Sequence, residues 1–181
     1  MKKRYWWGLL VLGLLIIGGV VGVMNHRTNT ASAPATTPKA AKKATTKPLQ
    51  PITKKTWQQH PKLRYASIIY YAVKHLKIQR WQEVSDFNRG WQVEIYPNHG
   101  QPKYLVWPDK NIKDEAKQLQ PNWFTISSAG TVTYDSFGVH TFAKDQTAKI
   151  SEARILEQTQ ADHATKKIYA MLDNLIIVKH H

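Results

Sequence analysis

The chain of 181 residues contains no cysteine. That excludes a disulfide-stapled fold, Cys-ligated zinc, an iron–sulfur centre, a cysteine nucleophile and a lipoprotein anchor built on an acylated cysteine. Acidic residues are absent from the first 60 positions, which hold 10 of the 26 Lys and Arg; residues 61–181 hold the other 16 and all 12 Asp and Glu. The net charge of +14 is therefore concentrated in the N-terminal third. An even spread of that charge would suggest a nucleic-acid binder; the charge is not spread evenly, and nucleic acid is not an expected partner. No glycine-rich phosphate loop is present, because the glycines beyond residue 57 are isolated. No two histidines there stand at H-x-x-x-H or H-x-H spacing with a carboxylate, so neither a metal nor a cofactor is expected. His180-His181 reads as ordinary surface.

What is present begins with one long apolar run. Tyr5–Met24 spans 20 residues without a charge, about 30 Å as a helix, which matches the hydrocarbon core of a bilayer. Tyr5, Trp6 and Trp7 stand at its edge, and Lys2, Lys3 and Arg4 precede it. The positive-inside rule then assigns residues 1–4 to the cytoplasm, 5–24 to a transmembrane helix in the lipid bilayer, and the remainder to the extracytoplasmic side. A cleaved signal peptide competes, because Ala31-Ser32-Ala33 has the small-x-small pattern. Against it stand the length of the apolar run, Arg27 before the motif and Pro34 after it.

Residues 25–56 read as a disordered tether rich in Thr, Ala, Pro and Lys, broken by Pro34, Pro38, Pro48 and Pro51. About 30 such residues reach roughly 90 Å in extended polyproline geometry. Lys39, Lys42, Lys43 and Lys47 belong to a run of cations that suits contact with an anionic wall polymer. The plainer alternative is a spacer kept extended by its charge.

Residues 57–181 have the size of one domain and carry five tryptophans and four phenylalanines. Pro61 followed by Leu63, Ala66, Ile69, Val73 and Leu76 predicts a helix. Trp91–Tyr96 and Lys103–Trp107 predict a hairpin about the turn Pro97–Pro102. Asn111–Leu119 predicts a short helix capped by Asn111. Trp123–Ser127 and Thr131–Phe137 predict a second hairpin about Ser128–Gly130. Helices are expected near 151–158 and 162–173, and 175–178 fits either a last helical turn or an edge strand. The sum is an α+β fold, with an antiparallel sheet of two hairpins covered by helices on one face.

No catalytic residues are assigned. Ser127, Ser128, Asp135, Ser136 and His140 lie close in sequence, but without a Gly-x-Ser-x-Gly elbow. Asp109, Asp114 and Glu115 are adjacent carboxylates, two of which the short helix explains as first-turn acids. The more specific signal is aromatic rings beside cations: Arg89 with Trp91, and Lys103 with Trp107 on the returning strand. Trp91 and Trp107 stand at roughly equal distance from the centre of the turn, so they are expected to be cross-strand neighbours; exposed together, the rings and their cations would stack on sugars and pair with anions, and as core rings they would only pack. By alternation, Leu105 and Trp107 face away from Tyr104 and Val106. One of those faces is left needing a cover, and such patches mark binding surfaces.

The stretches KIQRWQEVSDF (Lys77–Phe87), GWQVEIY (Gly90–Tyr96), YLVWPDKNIK (Tyr104–Lys113), NWFTIS (Asn122–Ser127) and VTYDSFGVHTF (Val132–Phe142) resemble a family of small surface proteins of Gram-positive lactic-acid bacteria. The resemblance covers most of residues 62–175. It implies an N-terminal anchor and one extracytoplasmic α+β domain, and brings no catalytic residues with it. With no cysteine to acylate, the anchor it implies here is a membrane-spanning one. The expected role is non-enzymatic binding at the cell envelope to an anionic wall polymer, a glycan or an envelope protein; the alternatives are an accessory wall hydrolase or wall-modifying enzyme, or a structural spacer.

Overall fold

Proline at the first helical position supplies a preset φ and gives up an N–H that would have no partner anyway. Pro61 does this for the longest helix of the computed structural model, which describes residues 48–98, 100–117, 122–137 and 146–181. That helix, α2, runs from Pro61 to His75 and buries Leu63, Ala66, Ile68, Ile69 and Ala72 almost completely. Before it lies α1 (Lys54–Gln59), and after it one turn, α3 (Gln79–Gln82). Then come β1 (Trp91–Tyr96), β2 (Lys103–Trp107), a 3-10 turn (Asp114–Ala116), β3 (Asn122–Ile126) and β4 (Thr131–Ser136). The chain closes with β5 (Gln146–Ser151), α4 (Glu152–Ala161), α5 (Thr165–Met171), a 3-10 turn (Leu172–Asn174) and β6 (Leu175–Lys179).

The fold is α+β, as composition and pattern imply, but the sheet is larger than two hairpins and is mixed. Its six strands lie in the order β5-β4-β3-β2-β1-β6. β1 to β5 pair antiparallel with their neighbours, and β6 pairs parallel with β1, Trp91 opposite Leu175 and Ile95 opposite Lys179. The consecutive strands β5 and β6 therefore occupy opposite edges. A parallel or distant pairing needs a long connection, and α4 and α5 provide it. Residues 175–178 resolve as an edge strand rather than a helical turn.

The helices gather on one face. Tyr65 of α2 meets Tyr104 of β2 at 5.1 Å between ring centroids and Phe124 of β3 at 6.2 Å. The buried Tyr134 hydroxyl donates to the Ile68 carbonyl at 3.0 Å, and Trp81 stands edge-on to the Tyr134 ring. Trp91, Val93, Val106, Phe124 and Val132 point the same way, and Ile155, Ile168 and Met171 of α4 and α5 complete the core.

Two local readings change. Residues 48–56, assigned to the tether by composition, include Ile52, which is only 2% exposed, and the start of α1. Thr53 and Thr56 form a reciprocal capping box, each backbone N–H donating to the other's hydroxyl at 2.8 and 3.2 Å. Trp57 pins α1 to α2 through a bond from Nε1 to the Ser67 hydroxyl at 3.1 Å. In the second case, Asn111 caps no helix. Asp109 turns the chain by accepting from the Asn111 N–H at 2.8 Å, and among the described residues here, which end at Lys117, only Asp114–Ala116 form a helical turn, with Lys113 before it.

Among the described residues no helix is long and apolar enough to cross a membrane. The expected span Tyr5–Met24 and the lysines Lys39, Lys42, Lys43 and Lys47 lie outside the described residues, as does His140.

Candidate functional site

Strand alternation places Gln92, Glu94 and Tyr96 on the face of β1 opposite Trp91 and Val93. The register sets Gln92 against Trp107, Glu94 against Leu105 and Tyr96 against Lys103, and then Leu105 against Trp123. These residues share the face turned away from the described helices, where Gln92, Glu94, Leu105 and Trp107 are nonetheless buried, each 7% exposed or less. A groove of about 680 Å³ lies there, lined by Glu94, Tyr96, Lys103, Leu105, Trp107, Asp114, Lys117 and His180. Its size is within the range of about 300–1,000 Å³ usual for small-molecule sites.

Glu94 is the centre of this groove, and its side chain is only 3% exposed. Oε1 accepts from the Lys117 ammonium at 2.6 Å and from the Gln92 amide at 2.9 Å. Oε2 accepts from the Tyr96 hydroxyl at 2.8 Å, with His180 Nε2 at 3.5 Å and outside hydrogen-bonding geometry. The Trp107 indole N–H also helps hold the carboxylate ionised but completes no hydrogen bond. Lys117 reaches Asp114 as well, at 2.8 Å, so one ammonium spans two carboxylates. The Tyr96 and His180 rings stack at 4.0 Å, nearly parallel at 7°. At the flank, the Lys103 ammonium sits 4.0 Å above the Trp123 ring.

Burial alone would raise the Glu94 carboxyl; the Lys117 ammonium and the Tyr96 hydroxyl outweigh it and hold the group below its ordinary value. A carboxyl whose folded value is depressed stabilises the fold at neutral pH, and that contribution is lost as pH falls through the depressed value. Glu94→Gln is expected to lower stability at pH 7 by about 3 kcal/mol, the low end for a broken buried pair because Lys117 keeps Asp114. It should also flatten the decline of stability in acid. Urea unfolding of both forms from pH 7 down to pH 2 checks this; some acid dependence should persist, because Asp109 and Asp162 are depressed too.

Of the four residues singled out from sequence, the structure brings two into the groove and leaves two outside it. Lys103 and Trp107 line it. Trp91 does not. It is fully buried on the helix side, donating from Nε1 to the Val84 carbonyl at 2.7 Å. Trp91 and Trp107 are not cross-strand partners, because Trp107 faces Gln92. A one-residue shift in register moves a side chain to the other face, and the two tryptophans stand on opposite sides of the sheet. Arg89 sits in the turn before β1, 62% exposed, and pairs with Asp109 at 3.3 Å.

Glu94, Tyr96, Lys117, His180 and the flanking Trp123 were not singled out from sequence. Alternation in WQVEIY carries the signal for Glu94 and Tyr96; Lys117 and His180 arrive from a loop and from beyond β6, where no local pattern marks them.

The other polar groups serve the frame. Ser127 accepts from the Thr131 N–H at 3.0 Å, and Asp135 accepts from the Thr147 hydroxyl at 2.6 Å. Asp135 and Ser136 point to opposite faces of β4. Asp162 ties α2 to α4 by accepting from Tyr70, His75 and Gln158 at 3.0, 2.6 and 2.8 Å; burial and that carboxylate push the Tyr70 phenol up to about 12. Among the described residues no group of three His, Asp or Glu side chains could hold a metal. No protein-family profile, curated protein or solved structure matches the chain.

Proposed function

We propose that the protein is a single-pass membrane protein whose folded unit, outside the membrane, binds a component of the cell envelope in the groove of the open sheet face, without catalysis. The observation that carries this reading is the groove itself: rings and paired charges gathered on the sheet face that the described helices do not cover. Recognition sites combine apolar area with a few fixed polar groups in this way. Glu94 cannot serve as a proton donor at neutral pH while Lys117 holds it ionised, and Asp114 is 95% exposed. Glu94, held below its ordinary value, lacks the raised value that a general acid requires. This weighs against the hydrolase alternative. The lysine tether is proposed as a second, weaker contact, with anionic wall polymer.

The test uses the full chain. It should stay with membranes after high-salt and carbonate washing, and recovery of a soluble form beginning at Pro34 would overturn the anchor. Retention on purified cell wall should weaken at least about tenfold, or about 1.4 kcal/mol, in a Lys103→Ala, Trp123→Ala double variant. Both side chains are only partly covered, so the melting temperature should move by only a few degrees. Undiminished retention in the folded variant would overturn the groove reading. Neutralising Lys39, Lys42, Lys43 and Lys47 should remove the part of retention that salt also removes.

A further inference from the structure

The charges in the groove cancel one another. Lys117, 14% exposed, spends its ammonium on Glu94 and Asp114 at 2.6 and 2.8 Å. Lys103 is drawn over the Trp123 ring. An anion entering here would have to draw Lys117 off two carboxylates, and a cation would have to draw Glu94 off Lys117 and Tyr96. What the groove offers instead is a neutral array of donors and acceptors around Leu105, Trp107 and the parallel Tyr96–His180 stack. Two of its polar atoms, Trp107 Nε1 and His180 Nε2, are buried with no hydrogen-bond partner.

Resting on the binding reading above, we propose that the groove takes an uncharged, polyhydroxylated sugar ring of a glycan. A pyranose matches each element. Its C–H face stacks on the partly exposed Tyr96–His180 pair. Each hydroxyl both donates and accepts, so it bonds to either end of a Lys117–carboxylate pair without separating the charges. A hydroxyl also supplies the acceptor that the Trp107 N–H lacks and a partner for His180. Binding of this kind is insensitive to ionic strength, because no net charge is neutralised.

The test titrates the full chain in detergent micelles with two neutral tetrasaccharides, of β-1,4-linked glucose and of β-1,4-linked N-acetylglucosamine, and with a glycerol-phosphate oligomer as polyanion. Tryptophan fluorescence and calorimetry report binding at low and high salt. A neutral saccharide is expected to bind, with Kd changing less than about twofold between about 0.05 and 0.5 M salt. Asp114→Ala, at a side chain almost wholly in solvent, should raise that Kd about tenfold with the melting temperature unchanged. Tyr96→Phe, which keeps the ring, should weaken binding less. Polyanion binding that Asp114→Ala leaves intact belongs to the lysine tether and, beside saccharide binding in the groove, fits the proposal. Polyanion binding that falls with salt and responds to Tyr96→Phe, with no saccharide binding, would overturn the sugar and keep the groove. Saccharide binding indifferent to both variants would overturn the proposal. Absence of any groove-dependent binding, together with undiminished wall retention in the Lys103→Ala, Trp123→Ala variant, would overturn both readings.

Discussion

Trp91→Ala is expected to cost about 3–5 kcal/mol, as removal of a large buried ring does. The ring is fully buried at the first position of β1 and meets Phe87 edge-on at 5.2 Å. Its N–H satisfies the Val84 carbonyl, which the variant would leave without that partner. Against a total stability of about 5–15 kcal/mol, the melting temperature should fall by roughly 10–20 °C. Trp91→Phe keeps most of the apolar area and should fall less. Circular dichroism melts of the three proteins check this, and an unchanged Trp91→Ala melt would contradict the placement of the ring in the core.

Gly90→Ala should be comparably damaging, for a different reason. Gly90 has φ +72, and a Cβ there would overlap the carbonyl oxygen and Cβ of Asn174. Asn174 is firmly held: its amide donates to the Phe87 carbonyl at 3.0 Å, and Lys110 donates to its side-chain oxygen at 2.6 Å. It immediately precedes β6, so making room for a methyl group means shifting the start of the strand that pairs with β1. The left-handed backbone alone costs an alanine about 1–2 kcal/mol; with the overlap, a total of at least about 3 kcal/mol is expected. Gly130 is the internal control. It has a similar φ of +76, but a Cβ there meets only the end of the Glu152 side chain at 3.2 Å. Gly130→Ala should therefore cost only the backbone part. Equal losses at the two glycines would show that the contact with Asn174 does not restrain β6.

Where apolar periodicity was strong, the elements were legible: α2, the two hairpins, and the split between Tyr104 and Val106 on one side and Leu105 and Trp107 on the other. β5 was not. Its sequence QTAKIS is largely exposed along an edge, and a polar edge strand protects against stray pairing by lacking the alternation that would reveal it. α1 was hidden by composition, because Lys54, Lys55 and Thr56 resemble the tether before them, and its signal is two threonines spaced for a capping box. The parallel placement of β6 depends on a partner some 80 residues away, which no window of sequence contains. The site was half legible for a similar reason. Strand alternation could place Trp107 and Lys103, but pairing Trp91 with Trp107 required a register known to one residue. The turn residues alone did not fix it. Lys117 and His180 reach Glu94 only through the tertiary fold.

The bond from Trp57 to Ser67 has a mechanical consequence. A force applied to the folded unit at its N-terminal side, near residue 48, first loads the buried Ile52 and then α1. The main packing of α1 is on α2, through the buried Trp57 ring and this hydrogen bond, and α1 contributes no strand to the sheet. Tension would therefore peel α1 from the helical layer a few contacts at a time, rather than shear several ladder bonds at once. The groove lies on the other side of the sheet, behind five antiparallel or parallel strand pairings that this load path does not cross. Under pull, α1 would yield as a fuse while Glu94, Lys117 and the Tyr96–His180 stack kept their geometry.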